Sequence, residues 1–216
     1  MSTLDGTQIR TVIREYARGQ KGYDARLYDL WDQYNDAFFG GVLVPPLIQL
    51  TQPEATTCYG DCSTYSGLAG IPSHIRLRPS ILDGTLRDLR HGSRDPEGLR
   101  RFLEDVLLHE MIHQFHQEKT GERDRSYSGH GTAFSTKANE IGGKLGLPPV
   151  RRTCKSRDGE DPSPSQWPHD VRPNGYYLGA HVLTSVDGGQ SDPLADEIAR
   201  LVQRYGIEAV RDAVDL

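Results

Sequence analysis

LLHEMIHQFH, residues 107–116, is the stretch whose reading decides how this chain folds. Ahead of it, Asp95-Pro96-Glu97 supplies an N-cap, a proline at the first helical position and an acid in the first turn. Leu99, Phe102, Leu103, Val106, Leu107 and Phe115 then recur at helical spacing, so a long helix is predicted up to a stop at Gly121. Leucine would pack better than two histidines and a glutamate in such a helix, so their presence asks for a chemical reason. His109 and His113 are four apart, which puts both imidazoles on one face, one turn apart, within reach of a single ion. Glu110 points about 100° away around the axis. It cannot join them as a ligand, but it can reach a water beside the ion. This is the H-E-x-x-H arrangement, in which a metal polarises a water and the glutamate accepts its proton.

Zinc suits two neutral imidazoles and needs a third protein ligand. Three residues compete for that place. His116 shares the helix face but lies seven residues from His109, ~10 Å along the axis, and reads as a surface or outer residue. Glu140 falls on the next helix, where Phe134, Ala138, Ile141 and Leu145 repeat at helical spacing. His130 opens that helix between Gly129 and Gly131, which let the backbone come close to a metal. His130 is favoured, with Glu140 as the alternative.

Working outward, Leu27, Leu30, Trp31, Tyr34 and Phe38 predict a helix over 25–39, capped by Asp24 and stopped by Gly40-Gly41. LIQLT (47–51) and SHIRLR (73–78) read as short strands, the second ended by Pro79. Residues 56–70 read as a loop or hairpin. Within them Cys58-Tyr59-Gly60-Asp61 reads as a turn, with a place at the border of the cleft as the alternative. Beyond Pro148-Pro149, residues 156–175 are rich in Pro, Ser, Asp and Gly and read as a linker or extended arm. A short strand over 175–183 and an amphipathic helix over 192–214 follow.

The chain has 216 residues, enough for one sizeable domain with an appendage. Its net charge of −5 argues against a surface that tracks nucleic acid throughout. Two basic stretches, 87–94 and 151–157, are open to phosphate contacts but read individually as solvated loops. No apolar run approaches the ~20 residues that span a bilayer, so no membrane partner is expected. The N-terminus does not read as a secretion signal, so none is expected. Three cysteines make no disulfide framework, and a reducing, cytoplasmic setting fits. Cys58 and Cys62 lack the second ligand pair a zinc site would need.

Five pieces stand in order: YNDAFFGGVL (34–43), CYGDCS (58–63), IRL (75–77), LLHEMIH (107–113) and GHGTAF (129–134). Together they resemble the SprT-like zinc metalloprotease family, in its Spartan-related branch. The resemblance implies that His109, His113 and His130 bind Zn2+ and that Glu110 is the catalytic base. It implies an α+β fold, a zincin-like metalloprotease domain with helices packed on a small β-sheet, over 25–149. An N-terminal extension (1–24) and an irregular C-terminal extension ending in a helix (150–216) flank it. The tail offers only Cys154, His169 and His181, too few for the zinc ribbon that many relatives carry, so DNA as a partner stays open. The implied activity is a zinc-dependent endopeptidase acting on protein or peptide substrates, DNA-associated or DNA-crosslinked proteins among them. The rival readings are a non-catalytic, zinc-stabilised binding module and a zinc hydrolase regulated by its tail without DNA. Three finer expectations complete the reading. The strand at 73–78 holds substrate as an added strand, Tyr127 assists at the oxyanion, and the 150–216 tail covers the cleft, so that deleting it raises activity.

Overall fold

The computed structural model describes residues 6–65, 67, 71–83, 95–120, 129–150, 163–173 and 175–177. Four helices, α1 (Gly6–Arg18), α2 (Ala25–Phe39), α3 (Pro96–Phe115) and α4 (Thr132–Lys144), surround a sheet of β1 (Leu47–Leu50), β2 (Gly60–Thr64) and β3 (Ser73–Leu77). This is the α+β class expected. Among the described residues no helix is long and apolar enough to cross a membrane.

Caps fix the helix ends. Asp24 accepts from the backbone N–H of Arg26 at 3.0 Å to start α2, and Gly40, at φ 66°, ends it. Asp95 accepts from Gly98 N at 2.9 Å to start α3. Helix α1 falls in the stretch read as an extension, yet Ile13 and Ala17 are buried in the core. Arg14 ties it to Asp29 and Asp32 of α2.

The sheet order is β1-β3-β2, with β1 parallel and β2 antiparallel to β3. Strand β3 alternates as a half-buried strand should: Ser73, Ile75 and Leu77 face inward, while His74 and Arg76 face the other side. Arg76 lies directly opposite Asp61 of β2 and pairs with it at 2.6 Å. The expectation that 73–78 accepts a substrate strand is corrected here, because β3 is central and already paired on both sides. The outer edge of β1 is also engaged, with Ile48 N donating to the Tyr28 hydroxyl at 2.8 Å and Leu50 N to Gly22 O at 2.7 Å. Among the described strands, β2 supplies the remaining edge.

Helix α3 runs through the middle of the molecule, touching β2, β3, α2 and α4. Leu103, Val106, Leu107, Leu108, Met111 and Ile112 are all buried, so the helix has no wet side over its second half. It passes into a π-helical turn, His116–Thr120, ahead of the expected stop. Residues 163–173 and 175–177, here called the strap, fall in the segment read as an arm. They are irregular, built on two 3-10 turns, but they are not an arm: Trp167 is fully buried, and Val171 and Tyr177 nearly so. Residues 175–177 form a turn where a strand was expected. The expected helix over 192–214, the basic stretches at 87–94 and 151–157, Tyr127, Cys154 and His181 lie outside the described residues.

Candidate metal centre

His109 and His113 project from one face of α3, as their spacing requires. His130 approaches from the turn that precedes α4, where Gly129 adopts φ 91°, a backbone that L residues resist. The three Nε2 atoms lie 3.0, 3.2 and 3.3 Å from one another. Phe134 of α4 forms a common floor, its ring centre 4.8, 4.8 and 4.9 Å from the three imidazoles. Among the described residues these three histidines form a group that could hold a metal ion.

The donor set fits zinc. With Zn–N bonds of ~2.0–2.1 Å, nitrogens at tetrahedral positions stand ~3.3–3.4 Å apart, close to the separations here. The tautomer of His109 fits as well. Its Nδ1 lies 2.7 Å from the backbone oxygen of Trp167. A carbonyl only accepts, so Nδ1 carries the hydrogen and Nε2 keeps its lone pair toward the other two histidines. Burial, and then the neighbouring His113 and His130, push the His109 pKa well down, which keeps the ring neutral. A buried N–H deprived of that carbonyl would cost about 1–3 kcal/mol.

Glu110 is buried between α3 and β2. Burial, with a further contribution from the charge of Asp61, raises its carboxyl well above the ordinary range. Room for it comes from Gly60: a Cβ at that position would stand 2.8 Å from Val106 Cγ1 and 3.0 Å from both Cγ and Oε1 of Glu110. The CYGDCS segment therefore borders the site, with Gly60 opening β2. The Cys62 thiol contacts Gln117 Oε1 at 3.6 Å, and burial raises its pKa well above the usual value, Glu110 adding to the effect.

The other candidate ligands stand apart. Glu140 is exposed and pairs with Lys137 at 3.0 Å. His116 is buried against Phe115 rather than at the surface, and it is not part of the cluster.

Several residues around the site escaped sequence reasoning. Gln114 donates to Val44 O and Glu118 Oε1, both at 2.7 Å, and accepts from Trp31 Nε1 at 2.9 Å. Glu118 also accepts from Val44 N at 3.0 Å and Ser73 Oγ at 3.2 Å. Two amide or acid side chains four apart on an apolar helix were the available signal. On the opposite side, Asp105 is almost wholly buried. Arg172 of the strap reaches it through Nε at 2.9 Å and Nη2 at 2.5 Å, and the Tyr177 hydroxyl donates to it at 2.5 Å. His169 packs on Phe102 with ring centres 4.7 Å apart, and 6.4 Å from the ring of His109.

A model of the SprT-like family matches residues 27–154. The DNA-dependent metalloprotease SPRTN of Danio rerio is 38% identical over 109 residues, 50% of this chain and 14% of that protein. The human protein of the same name is 34% identical over 120 residues, 56% of this chain and 21% of that protein. The matches thus span about a fifth or less of those relatives. No solved structure matches the chain.

Proposed function

The chain belongs to the SprT-like family, and on that footing we propose that it is a zinc-dependent endopeptidase with a zincin-like fold. The observation that carries the reading is the convergence of three imidazole Nε2 atoms within 3.3 Å, beside a buried glutamate. His109, His113 and His130 hold the ion. When bound, zinc supplies Lewis acidity toward a water and a peptide carbonyl.

Glu110 is the general base. Its desolvated carboxyl takes a proton from the attacking water and returns it to the leaving amine. Gly60 and the β2 backbone hold that carboxyl in place from one side. In the register of β2 on β3, the backbone groups of Gly60, Cys62 and Thr64 point to the outer edge. The Cys62 carbonyl accepts there from Gln117 Nε2 at 3.3 Å. An extended peptide laid along the Gly60 end of this edge passes next to Glu110, so β2 takes the role first expected of β3.

The relatives carry the name DNA-dependent metalloprotease, which supports DNA as a partner; DNA-associated or DNA-crosslinked protein substrates and an intracellular place of work belong to the same proposal. The test is a cleavage time course on a histone, with and without single-stranded DNA, alongside Glu110→Gln. Cleavage by the native chain in the presence of DNA is expected. Glu110→Gln should keep its zinc and lose turnover by about 10²–10⁴-fold. Cleavage by that variant at the native rate would refute the assigned base.

A further inference from the structure

We propose that the strap is a positioning element of the metal centre, through the Trp167 carbonyl, and that its grip on α3 is linked to metal affinity. This rests on the reading of His109, His113 and His130 as zinc ligands. The family match ends at residue 154, yet the partner of His109 comes from residue 167. The histidines alone therefore do not complete the site.

Three observations converge. His109 is the most enclosed of the three ligands, and its Nδ1 has the Trp167 oxygen at 2.7 Å. Without that acceptor the ring can move its hydrogen to Nε2, which removes the lone pair the ion needs. Trp167 cannot drift freely, because its indole is fully buried and lies against α4 beside Gly142. Five residues on, Arg172 closes a bidentate pair with Asp105, one turn of α3 before His109, and Tyr177 adds a hydrogen bond to the same carboxylate. Strap and ligand are thus fastened to α3 four residues apart. A shift of the strap moves the carbonyl relative to the ring.

Linkage makes the effect reciprocal: what loosens the strap weakens the metal, and removing the metal loosens the strap. Outer partners of metal-bound histidines typically change affinity by about 10–100-fold when lost.

The experiment uses the full chain. Zinc affinity is measured by chelator competition for Arg172→Lys, which spoils the fork on Asp105, and for Tyr177→Phe, which removes one hydroxyl and keeps the packing. Asn35→Ala is the control: it removes buried hydrogen bonds to Leu43 that involve neither Asp105 nor the strap. His109→Ala tests the underlying reading. Hydrogen exchange over 163–177 is followed with zinc and after chelation.

The expected result is zinc binding about 10–100-fold weaker in Arg172→Lys. A smaller loss is expected in Tyr177→Phe and no change in the control, with faster exchange in the strap once zinc is removed. Native affinity in both strap variants, with His109→Ala unable to bind, overturns the strap proposal alone. An equal loss in Asn35→Ala overturns it too, since general destabilisation then accounts for the effect. Undiminished binding in His109→Ala overturns the metal-site reading and the proposal with it.

Discussion

Gly60→Ala is a one-carbon test of the site. The added Cβ would stand 2.8 Å from Val106 Cγ1 and 3.0 Å from Cγ and Oε1 of Glu110. Ordinary carbon contacts are ~3.5–4.0 Å, so one or both neighbours must retreat by ~0.5–1 Å. Val106 is β-branched and locked in the helix, so it resists. The Glu110 side chain is the softer of the two and takes up most of the movement. Overpacking of this kind costs about 1–3 kcal/mol, which for a chain of this size lowers Tm by about 2–4 °C per kcal/mol. A general base displaced by ~1 Å loses up to ~10²-fold in rate. Peptide cleavage should therefore fall about 10–100-fold in kcat/KM at full zinc occupancy, well below the melting transition. Val106→Ala separates the two effects. Combined with Gly60→Ala it removes one clash but not the other, so stability should recover relative to the sum of the single changes while kcat/KM does not. Native kcat/KM in folded, zinc-loaded Gly60→Ala would show that the place of the Glu110 carboxyl does not govern the reaction.

Two further outcomes are expected. Asp24→Ala should destabilise by about 1 kcal/mol at pH 7. The side-chain hydrogen bond with Arg26 holds the Asp24 pKa below its ordinary value, so its contribution is present above the unfolded carboxylate range and is lost as pH falls through the folded value. The difference between variant and native chain in urea unfolding should therefore shrink toward pH 3, and a constant difference would refute the assignment. The Cys62 thiol, its pKa raised chiefly by burial, should resist iodoacetamide at pH 8 while exposed Cys58 is alkylated. Equal labelling of both by mass spectrometry would contradict that burial.

Where local chemistry decides the structure, the sequence was legible. Asp24 and Gly40 mark the ends of α2 by capping alone, and the strand at 73–77 follows from alternation. The meeting of the three histidines was legible because His109 and His113 share a helix face whatever surrounds them, and glycines flank His130. Strand β2 was harder. Its positions facing α3 are Gly60, bare because Val106 and Glu110 fill the room, and Cys62, half-buried beside Gln117, so the apolar alternation that marks a strand is missing. Helix α1 did carry a signal, since Ile9, Ile13, Tyr16 and Ala17 recur at helical spacing among polar residues, and it was passed over. The strap escaped because its polar pairing with α3 runs through two backbone carbonyls, those of Trp167 and Tyr176, and one carboxylate, more than fifty residues away. A carbonyl has no letter in the sequence. Trp167 and Tyr177 were the visible hints, and Pro, Ser and Asp around them correctly indicated irregular backbone, which is a different property from being unpacked.

A helix buried on every side makes its polar residues decisive, because each must find a partner in the element that covers it. Along α3, Asp105 is met by Arg172 and Tyr177, and His109 by the Trp167 carbonyl. Glu110 fits only against the bare backbone of Gly60 in β2. Gln114 takes Trp31 from α2 and Val44 from the following loop, and just past the helix Glu118 takes Ser73 from β3. An apolar α3 would pack as tightly and could slide or rotate against its neighbours at little cost. These pairings forbid that, because a displacement strands several buried groups at about 1–3 kcal/mol each. The contacts that give the fold one register are thus the contacts that hold the three imidazoles and the glutamate in place. This answers why leucine does not occupy those positions: in α3 the residues that would do chemistry and the residues that specify the fold draw on one set of buried partners.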